Sequence, residues 1–127
     1  VIINNIGNGG EVLDPKYIAG ASGNASLMGF TRALGAFSLD DNIRVVGVNP
    51  GPVDTDRIYN MLKKRALKDL GDESRARDLQ KGYPLGRPAY KEEVSDIIVF
   101  LASHRAGYVT GTIITVDGGI ASRRSII

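Results

Sequence analysis

An apolar run that ends in a proline-bounded corner is the feature that most constrains the fold of this chain. Residues 43–48 read IRVVGV and residues 49–56 read NPGPVDTD. A nearly continuous apolar run of this length is typical of a strand buried on both faces, as in a parallel sheet. Pro50 and Pro52 fix φ and lack an N–H, so the strand has to end there, and Gly51 permits close approach of a flat ligand. Ligands of open α/β sheets bind beyond the carboxyl ends of the strands, so this corner is a candidate binding loop; the alternative is an ordinary strand-to-loop boundary.

The segment before the corner completes a βαβ unit. Residues 1–6 favour a buried strand. Asp14, which is followed by a proline, indicates a helix start, because Asp accepts hydrogen bonds from free N–H groups and proline suits the first helical position. The helix is expected to extend to about Ser38 and to be followed by a second strand at residues 43–48. This order predicts two parallel strands joined by a right-handed crossover.

Two features of the first helix bear on its packing. Its expected buried stripe, with spacings of three and four residues, consists of Leu27, Met28, Phe30, Thr31 and Leu34. Residues 20–26 read GASGNAS, and such a run of small residues lowers helix propensity but lets a ligand or another backbone come close. Tight helix packing without any ligand explains the same run.

The second half of the chain predicts further helices and a third strand. Residues 56–82 are polar and of mixed charge, which indicates a solvated helical face or a mobile lid. Apolar residues at spacings of three and four after Lys91 predict a second strong helix. Residues 111–116 favour a third strand, and residues 121–127 are expected to form a flexible tail.

The composition limits the functions that the chain can have. Its 127 residues suffice for one domain, no apolar run is long enough to cross a bilayer, and a net charge of +2 does not indicate nucleic-acid binding. The lack of cysteine excludes thiolate metal sites, and no His, Asp or Glu cluster has metal-ligand spacing. The single histidine, His104, is expected at the surface near a helix end. The expected location is cytoplasmic, and because Val1 lies inside an expected strand, we expect a fragment of a longer protein.

Several phrases, in this order and at this spacing, resemble the C-terminal half of a short-chain dehydrogenase/reductase. They are GFTRAL at 29–34, IRV at 43–45, VNPGPVDT at 48–55, PLGRP at 84–88, EEV at 92–94, FLAS at 100–103, TG at 110–111 and VDGG at 116–119. The resemblance implies an α/β fold with a Rossmann-like doubly wound parallel sheet, of which this chain holds the last three strands in the order β-α-β-α-α-β. It also implies that residues 1–127 form the C-terminal part of a single domain whose dinucleotide-binding N-terminal half is absent.

The resemblance implies NAD or NADP as the cofactor. The glycine-rich phosphate loop of the family is not present, since residues 7–10 (GNGG) lack the GxGxxG spacing. What the resemblance places here is the nicotinamide end of the site. The loop of residues 50–52 would pack on the nicotinamide ring, the backbone of Val53 would bind the carboxamide, and Thr55 would add a hydroxyl.

The Ser, Tyr and Lys that the family uses in catalysis are missing from their expected positions. The family's Tyr and Lys lie four residues apart on the long helix, where the ammonium group lowers the pKa of the phenol. Aligned without a gap, these positions fall on Gly20 and Asn24, and the Ser position falls at or next to Gly7. Asn24 can hydrogen-bond a ribose hydroxyl but has no charge. Tyr17 lies about one helical turn before Gly20, so the candidate catalytic residues are Tyr17 and Asn24.

These observations leave functions of different classes open. One is an NAD(P)-dependent oxidoreductase with an atypical active site that acts on a carbonyl or alcohol group of a small-molecule substrate. The other is a non-catalytic homologue that serves as a dinucleotide-binding or oligomerisation scaffold. The resemblance implies a homodimer or homotetramer that associates through the long helix. A third idea, that Lys63, Lys64 and Arg65 hold a phosphate-bearing substrate such as an acyl-coenzyme A, competes with an ordinary solvated surface.

Overall fold

The structure, a computed structural model, describes residues 1–123 as a three-stranded parallel sheet with three α-helices. In chain order the elements are β1 (Ile2–Asn5), α1 (Ile18–Gly35), β2 (Val45–Pro50), α2 (Asp56–Leu70), α3 (Lys91–Ala102) and β3 (Thr112–Val116). The order of strands in the sheet is β1-β2-β3. The predicted β-α-β-α-α-β order and the parallel sheet are confirmed.

β2 is the middle strand, and its three valines are fully buried, as its apolar sequence predicts. It pairs with β1 on one side and with β3 on the other. The strand begins later than the predicted residue 43, because the N–H of Ile43 is bonded to the carbonyl of Ser38 in the preceding turn. It extends to Pro50, which pairs with Val116 of β3.

The two faces of the sheet pack on different helices. Val46 and Val48 belong to one buried cluster with Val94 of α3. On the opposite face, Asn4 of β1 donates a hydrogen bond to Thr31 Oγ1 of α1 at 2.9 Å. Coverage on both faces is what a parallel sheet requires, and it explains why β2 reads as a continuous apolar run.

α1 begins at Ile18, later than the Asp-Pro signal predicted. Asp14 does not cap the helix, because its Oδ1 accepts the N–H of Lys16 at 2.8 Å in a local turn. Tyr17 occupies the N-cap position instead, with φ −131° and ψ 37°. The helix ends at Gly35, three residues before the predicted end.

The buried face of α1 differs from the predicted apolar stripe. Met28 and Thr31 are buried as expected, but Leu27, Phe30 and Leu34 are exposed. The helix buries two small residues in their place, which lets its backbone approach the sheet closely. An apolar face of α1 is therefore left uncovered by residues 1–123.

Residues 56–82 fold into α2 and a 3-10 segment, Glu73–Gly82, that packs on it. Thr55 Oγ1 accepts the N–H of Ile58 at the start of α2, and Gly71, with φ +73°, ends the helix. The two segments share a small core separate from the sheet, formed by Leu62, Ala66 and Ala76. The predicted helical segment is confirmed, and its movement as a lid stays a prediction.

The C-terminus of α3 is capped by an arginine that directly precedes β2. The guanidinium of Arg44 donates to the carbonyls of Leu101 at 2.7 Å and Ser103 at 3.1 Å. A cation at this end satisfies free carbonyls and interacts favourably with the helix dipole. His104, predicted near a helix end, is exposed and begins the short 3-10 turn that follows α3.

The chain after β3 begins with a further turn. Ile120–Ser122 form a 3-10 turn, so the first residues of the predicted tail belong to it. Residues 124–127, the rest of that tail, lie outside the described residues. None of the helices within residues 1–123 is long and apolar enough to span a membrane.

We predict that Gly35→Ala destabilises the protein. A Cβ at residue 35 would lie 2.5 Å from the backbone N and Cα of Gly111, and a backbone cannot yield as a side chain does. The expected loss is about 1–3 kcal/mol in the free energy of unfolding, measured by denaturant titration of the intact protein. Gly29→Ala is the control, since nothing lies within 4 Å of a Cβ there. Equal stability of the two variants would show that the end of α1 does not approach the backbone of Gly111, just before β3, as described.

Candidate active site

The corner after β2 closes onto the end of β3. The N–H of Gly51 donates to the carbonyl of Val116 at 3.0 Å. A Cβ at residue 51 would lie 2.8 Å from the Cβ of Asp117, so no side chain fits there. Within residues 1–123, the residue that comes close to Gly51 is Asp117. The close approach of a ligand to Gly51, which the sequence predicted, stays a prediction.

Asp117 ties the loop after β1 to the end of β3. Its buried carboxylate accepts hydrogen bonds from Asn8 Nδ2 at 3.1 Å and from the N–H groups of Gly119 at 2.7 Å and Ala121 at 2.8 Å. Burial alone would raise the pKa of Asp117, but the hydrogen bonds together outweigh burial, and the pKa lies below its ordinary value. The side chain is therefore an anion at neutral pH.

Beyond the corner, the chain forms a short ladder that leaves one donor unused. The N–H of Ala89 donates to the carbonyl of Pro52 at 2.9 Å, and the N–H of Asp54 donates to the carbonyl of Ala89 at 2.8 Å. The N–H of Val53 takes no part in this ladder, because it lies between the two bonded positions. The hydroxyl of Thr55 donates to the carbonyl of Val53 at 3.3 Å, which is a long hydrogen bond.

The ring of Tyr17 occupies the space above Gly20. A Cβ at residue 20 would overlap the ring and hydroxyl of Tyr17, and a Cβ at Gly9 would lie 3.3 Å from the same ring. The two glycines therefore form the seat of the ring, which remains half-exposed. The Tyr17 hydroxyl lies beside the backbone of α1 at Gly20. The hydroxyl of a tyrosine at residue 20 would lie farther from that backbone, by about the length of its ring.

Asn24 lies at the carboxyl end of β1, where its Nδ2 donates to the carbonyl of Gly7 at 3.3 Å. Gly7 has φ +126°, a conformation that residues with a side chain rarely adopt, so a serine here would be strained. The structure thus brings together the three positions that the sequence aligned with the family's catalytic residues. Gly7 contacts Asn24, Asn24 follows Gly20 by four residues on α1, and the ring of Tyr17 covers Gly20.

Sequence reasoning missed a polar cluster beside these residues. Asn49 is fully buried, and its Nδ2 donates to Glu11 Oε1 at 3.0 Å. The hydroxyl of Thr115 donates to the same carboxylate at 3.1 Å. Asn49 and Asp117 each stand at the carboxyl end of a strand, and that position was the signal that could have identified them. Glu11 lies in a loop and had no such signal.

An ion pair shapes the segment that follows the 3-10 region. Arg87 donates to both carboxylate oxygens of Glu93, at 2.8 and 2.9 Å, and its guanidinium stacks on the ring of Tyr90 at 3.8 Å. The hydrogen bonds from Arg87 lower the pKa of Glu93 to about 2. This pair holds the segment against the start of α3.

One cleft opens at the carboxyl edge of the sheet, and a second opens beside α2. The first has a volume of about 190 Å³. Its apolar lining includes Pro52, Tyr83, Pro84, Leu85, Val116 and Ile120. The second, of about 490 Å³, lies between residues 14–16 and one face of α2. No group of three His, Asp or Glu side chains within residues 1–123 could hold a metal ion.

Comparison with known proteins identifies the family. The family model described as "Enoyl-(Acyl carrier protein) reductase" matches residues 2–121. The short-chain dehydrogenase srdC of Neurospora crassa is 34% identical over 116 residues, which are 91% of this chain and 40% of that protein. The chain belongs to the short-chain dehydrogenase/reductase family.

Another relative in this family is a reductase by name. The 3-oxoacyl-[acyl-carrier-protein] reductase FabG of Chlamydia muridarum is 39% identical over 101 residues, which are 80% of this chain and 37% of that protein. The chain therefore spans about two fifths of the length of each of these two curated relatives.

Solved structures confirm the fold. A short-chain dehydrogenase family protein from Francisella tularensis matches with a TM-score of 0.85 at 29% identity, over 96% of this chain and 51% of that one. YwfH, an NADPH-dependent reductase involved in bacilysin biosynthesis, matches with a TM-score of 0.82 at 32% identity, over 98% of this chain and 47% of that one. The resemblance found in the sequence and the Rossmann-like arrangement are both confirmed.

We predict that Asp117→Asn destabilises the protein at neutral pH by about 1–3 kcal/mol, because the new amide group meets other donors where the carboxylate accepted hydrogen bonds. The folded-state pKa is lowered, so the carboxylate contributes stability above the ordinary carboxyl pKa of about 3.9 and loses it as the pH falls through the folded-state value. Thermal melting of both proteins between neutral and acid pH measures this. The two melting temperatures should converge in acid, and a constant difference would contradict the account.

Proposed function

We propose that the intact protein is an NAD(P)-dependent oxidoreductase that interconverts a carbonyl and an alcohol group of a small molecule. The main support is the N–H of Val53, which forms no hydrogen bond within residues 1–123 and directly follows the rigid corner of residues 50–52. The family resemblance gives this corner the nicotinamide ring as its ligand. The names of the relatives, which include a 3-oxoacyl-[acyl-carrier-protein] reductase and an NADPH-dependent reductase, support the same class of reaction.

The donors at the corner fit a nicotinamide. The N–H of Val53 is placed to bind the carboxamide oxygen. Thr55 makes two long hydrogen bonds, of 3.3 and 3.4 Å, so its hydroxyl can turn toward the carboxamide at little cost. Asn24 would bind a ribose hydroxyl. A bound dinucleotide supplies or accepts the hydride, and NAD and NADP both fit because they differ only at the distant adenosine ribose.

We assign the proton transfer to Tyr17. Its phenol lies against Gly20, the position that aligns with the family's tyrosine, and a phenol both donates and accepts a hydrogen bond. It would give its proton to the carbonyl oxygen during reduction and take one from the alcohol during oxidation. Asn24 donates to Gly7 and has no charge, so this site lacks the ammonium group that stabilises the phenolate in the family.

We predict that Tyr17→Phe lowers kcat at least about a hundredfold and leaves the affinity for the cofactor unchanged, because only the proton donor is removed. Steady-state kinetics with a panel of carbonyl substrates, together with a cofactor-binding titration, measure the two effects separately. Wild-type turnover by Tyr17→Phe would refute the assignment.

Gly20→Ala provides a second, independent variant. Its methyl group takes the space of the Tyr17 ring, so the ring has to turn away and the same loss of kcat is expected while the phenol is retained. Gly23→Ala is the matched control, because it makes the same change in the same helix with nothing within 4 Å of the new Cβ. Full activity of Gly20→Ala beside an inactive Tyr17→Phe would contradict the proposed seat of the ring.

A non-catalytic scaffold is the second candidate function. The observation that favours it is that two of the three aligned catalytic positions, Gly7 and Gly20, have no side chain, and that the third, Asn24, has no charge. A protein that binds NAD(H) or NADP(H) but reduces no carbonyl in a broad panel would support the scaffold and oppose the enzyme.

We also propose that the protein forms a homodimer or a homotetramer through α1. Leu27, Phe30 and Leu34 are exposed on one side of this helix, and Phe37, just after its end, is 79% exposed. Burial of such an apolar face stabilises association by roughly 25 cal/mol for each Å² removed from water. The family's association through its long helix, stated above, supports a second copy as the occupant.

We predict that Phe30→Glu shifts the protein toward the monomer, because the new charge would have to be buried in the α1 interface. Sedimentation velocity of the intact protein measures the change. Asn60→Glu, which adds the same charge to an exposed position of α2, should leave the oligomer unchanged. An unaltered mass for Phe30→Glu would place the interface elsewhere.

A further inference from the structure

α2 separates its apolar residues from its basic residues. Leu62 and Ala66 are buried against the 3-10 segment. A different side of α2 bears three cations and a methionine, at spacings of three and four residues, which are Met61, Lys64, Arg65 and Lys68. Lys63, grouped with its neighbours in the sequence analysis, lies off this face, with its ammonium group 4.8 Å from the centre of the Tyr59 ring.

The basic face of α2 forms one wall of the 490 Å³ cleft. Asp14 and Lys16 form the opposite wall, and Asp69 completes the lining. Lys16 immediately precedes Tyr17, and α2 begins immediately after Thr55. The cleft is therefore connected along the chain to Tyr17 through Lys16 and to the nicotinamide corner through the first turns of α2. Its volume is in the range of small-molecule sites.

Each of the two acidic groups of the cleft accepts a hydrogen bond within the chain. Asp69 accepts a hydrogen bond from Arg65 Nε at 3.2 Å, and Asp14 Oδ1 accepts the backbone N–H of Lys16. In contrast, the ammonium groups of Lys16, Lys64 and Lys68 form no ion pair within residues 1–123. The lining has four cations and two anions, which leaves an excess of positive charge. A face of balanced mixed charge would not have this excess.

We propose that this cleft binds a phosphate group on the carbonyl substrate, so that the substrate class is phosphate esters with a ketone or aldehyde. Ammonium groups bind phosphate as point charges, whereas planar two-point binding of a carboxylate calls for a free guanidinium. Arg65, the one guanidinium in the lining, is paired with Asp69. The proposal rests on the oxidoreductase function, since it places the reacting carbonyl of the substrate at Tyr17.

The test compares phosphorylated and neutral substrates in the intact protein. Lys64→Gln combined with Lys68→Gln is expected to raise KM about tenfold for a phosphate ester, because two charge contacts are lost, with kcat unchanged. The ester is acetoacetyl-coenzyme A or dihydroxyacetone phosphate. The ester whose KM rises more in the double variant shows whether the phosphate of the substrate lies far from the carbonyl group or close to it. KM for the neutral counterparts, ethyl acetoacetate and dihydroxyacetone, should not change.

Lys63→Gln is the matched control, because it removes the same charge from the same helix outside the cleft, and it should leave KM for the phosphate esters within about twofold of wild type. The proposal is overturned if the double variant and Lys63→Gln behave alike, or if KM rises equally for neutral substrates.

A binding measurement separates this proposal from the proposed reaction. Calorimetric titration with coenzyme A or dihydroxyacetone phosphate needs no turnover, so it tests the cleft even if no carbonyl is reduced. Wild-type protein and Lys63→Gln should bind one of the two, more weakly as salt is added, and the double variant should bind about tenfold more weakly. Equal binding by all three proteins, or no binding to either compound, would rule out the phosphate site.

Discussion

The contact between Gly51 and Asp117 determines how the carboxyl ends of the strands come together. Because residue 51 has no side chain, the corner after β2 reaches the end of β3, and Asp117 is left facing the loop after β1. Its carboxylate then binds Asn8 and the N–H groups of the following turn. Asp117 thus contacts the ends of all three strands, the end of β2 through its Cα and Cβ and the loop after β1 through its carboxylate.

The backbone around Tyr17 makes room for an aromatic ring beside the positions that align with the family's catalytic residues. Glycines at residues 9 and 20 clear a space between the loop after β1 and the start of α1, and the ring of Tyr17 fills it. Gly7 adopts a left-handed φ and offers its carbonyl to Asn24. Two of the positions that align with the family's catalytic residues, Gly7 and Gly20, have no side chain, and the ring and hydroxyl of Tyr17 lie against Gly20.

The sequence was sufficient for the fold but not for the details of the site. The apolar run of β2 and the spacing within α3 predicted their elements, because burial on both faces and helical periodicity leave a direct pattern. The start of α1 was predicted too early, because Asp14 bonds locally to Lys16 rather than to a helix terminus. The sequence already showed that the family's tyrosine and lysine are absent at residues 20 and 24. The ring of Tyr17 above Gly20 was not, because it depends on the non-helical backbone of the N-cap residue.

The most direct test of the account is a crystal structure of the intact protein with a reduced dinucleotide and a carbonyl substrate analogue. The account predicts that the nicotinamide lies against residues 50–53, and that the Tyr17 hydroxyl is within about 2.6–3.2 Å of the carbonyl oxygen. A nicotinamide bound elsewhere, or a Tyr17 ring turned away from the carbonyl with Gly20 left uncovered, would contradict it.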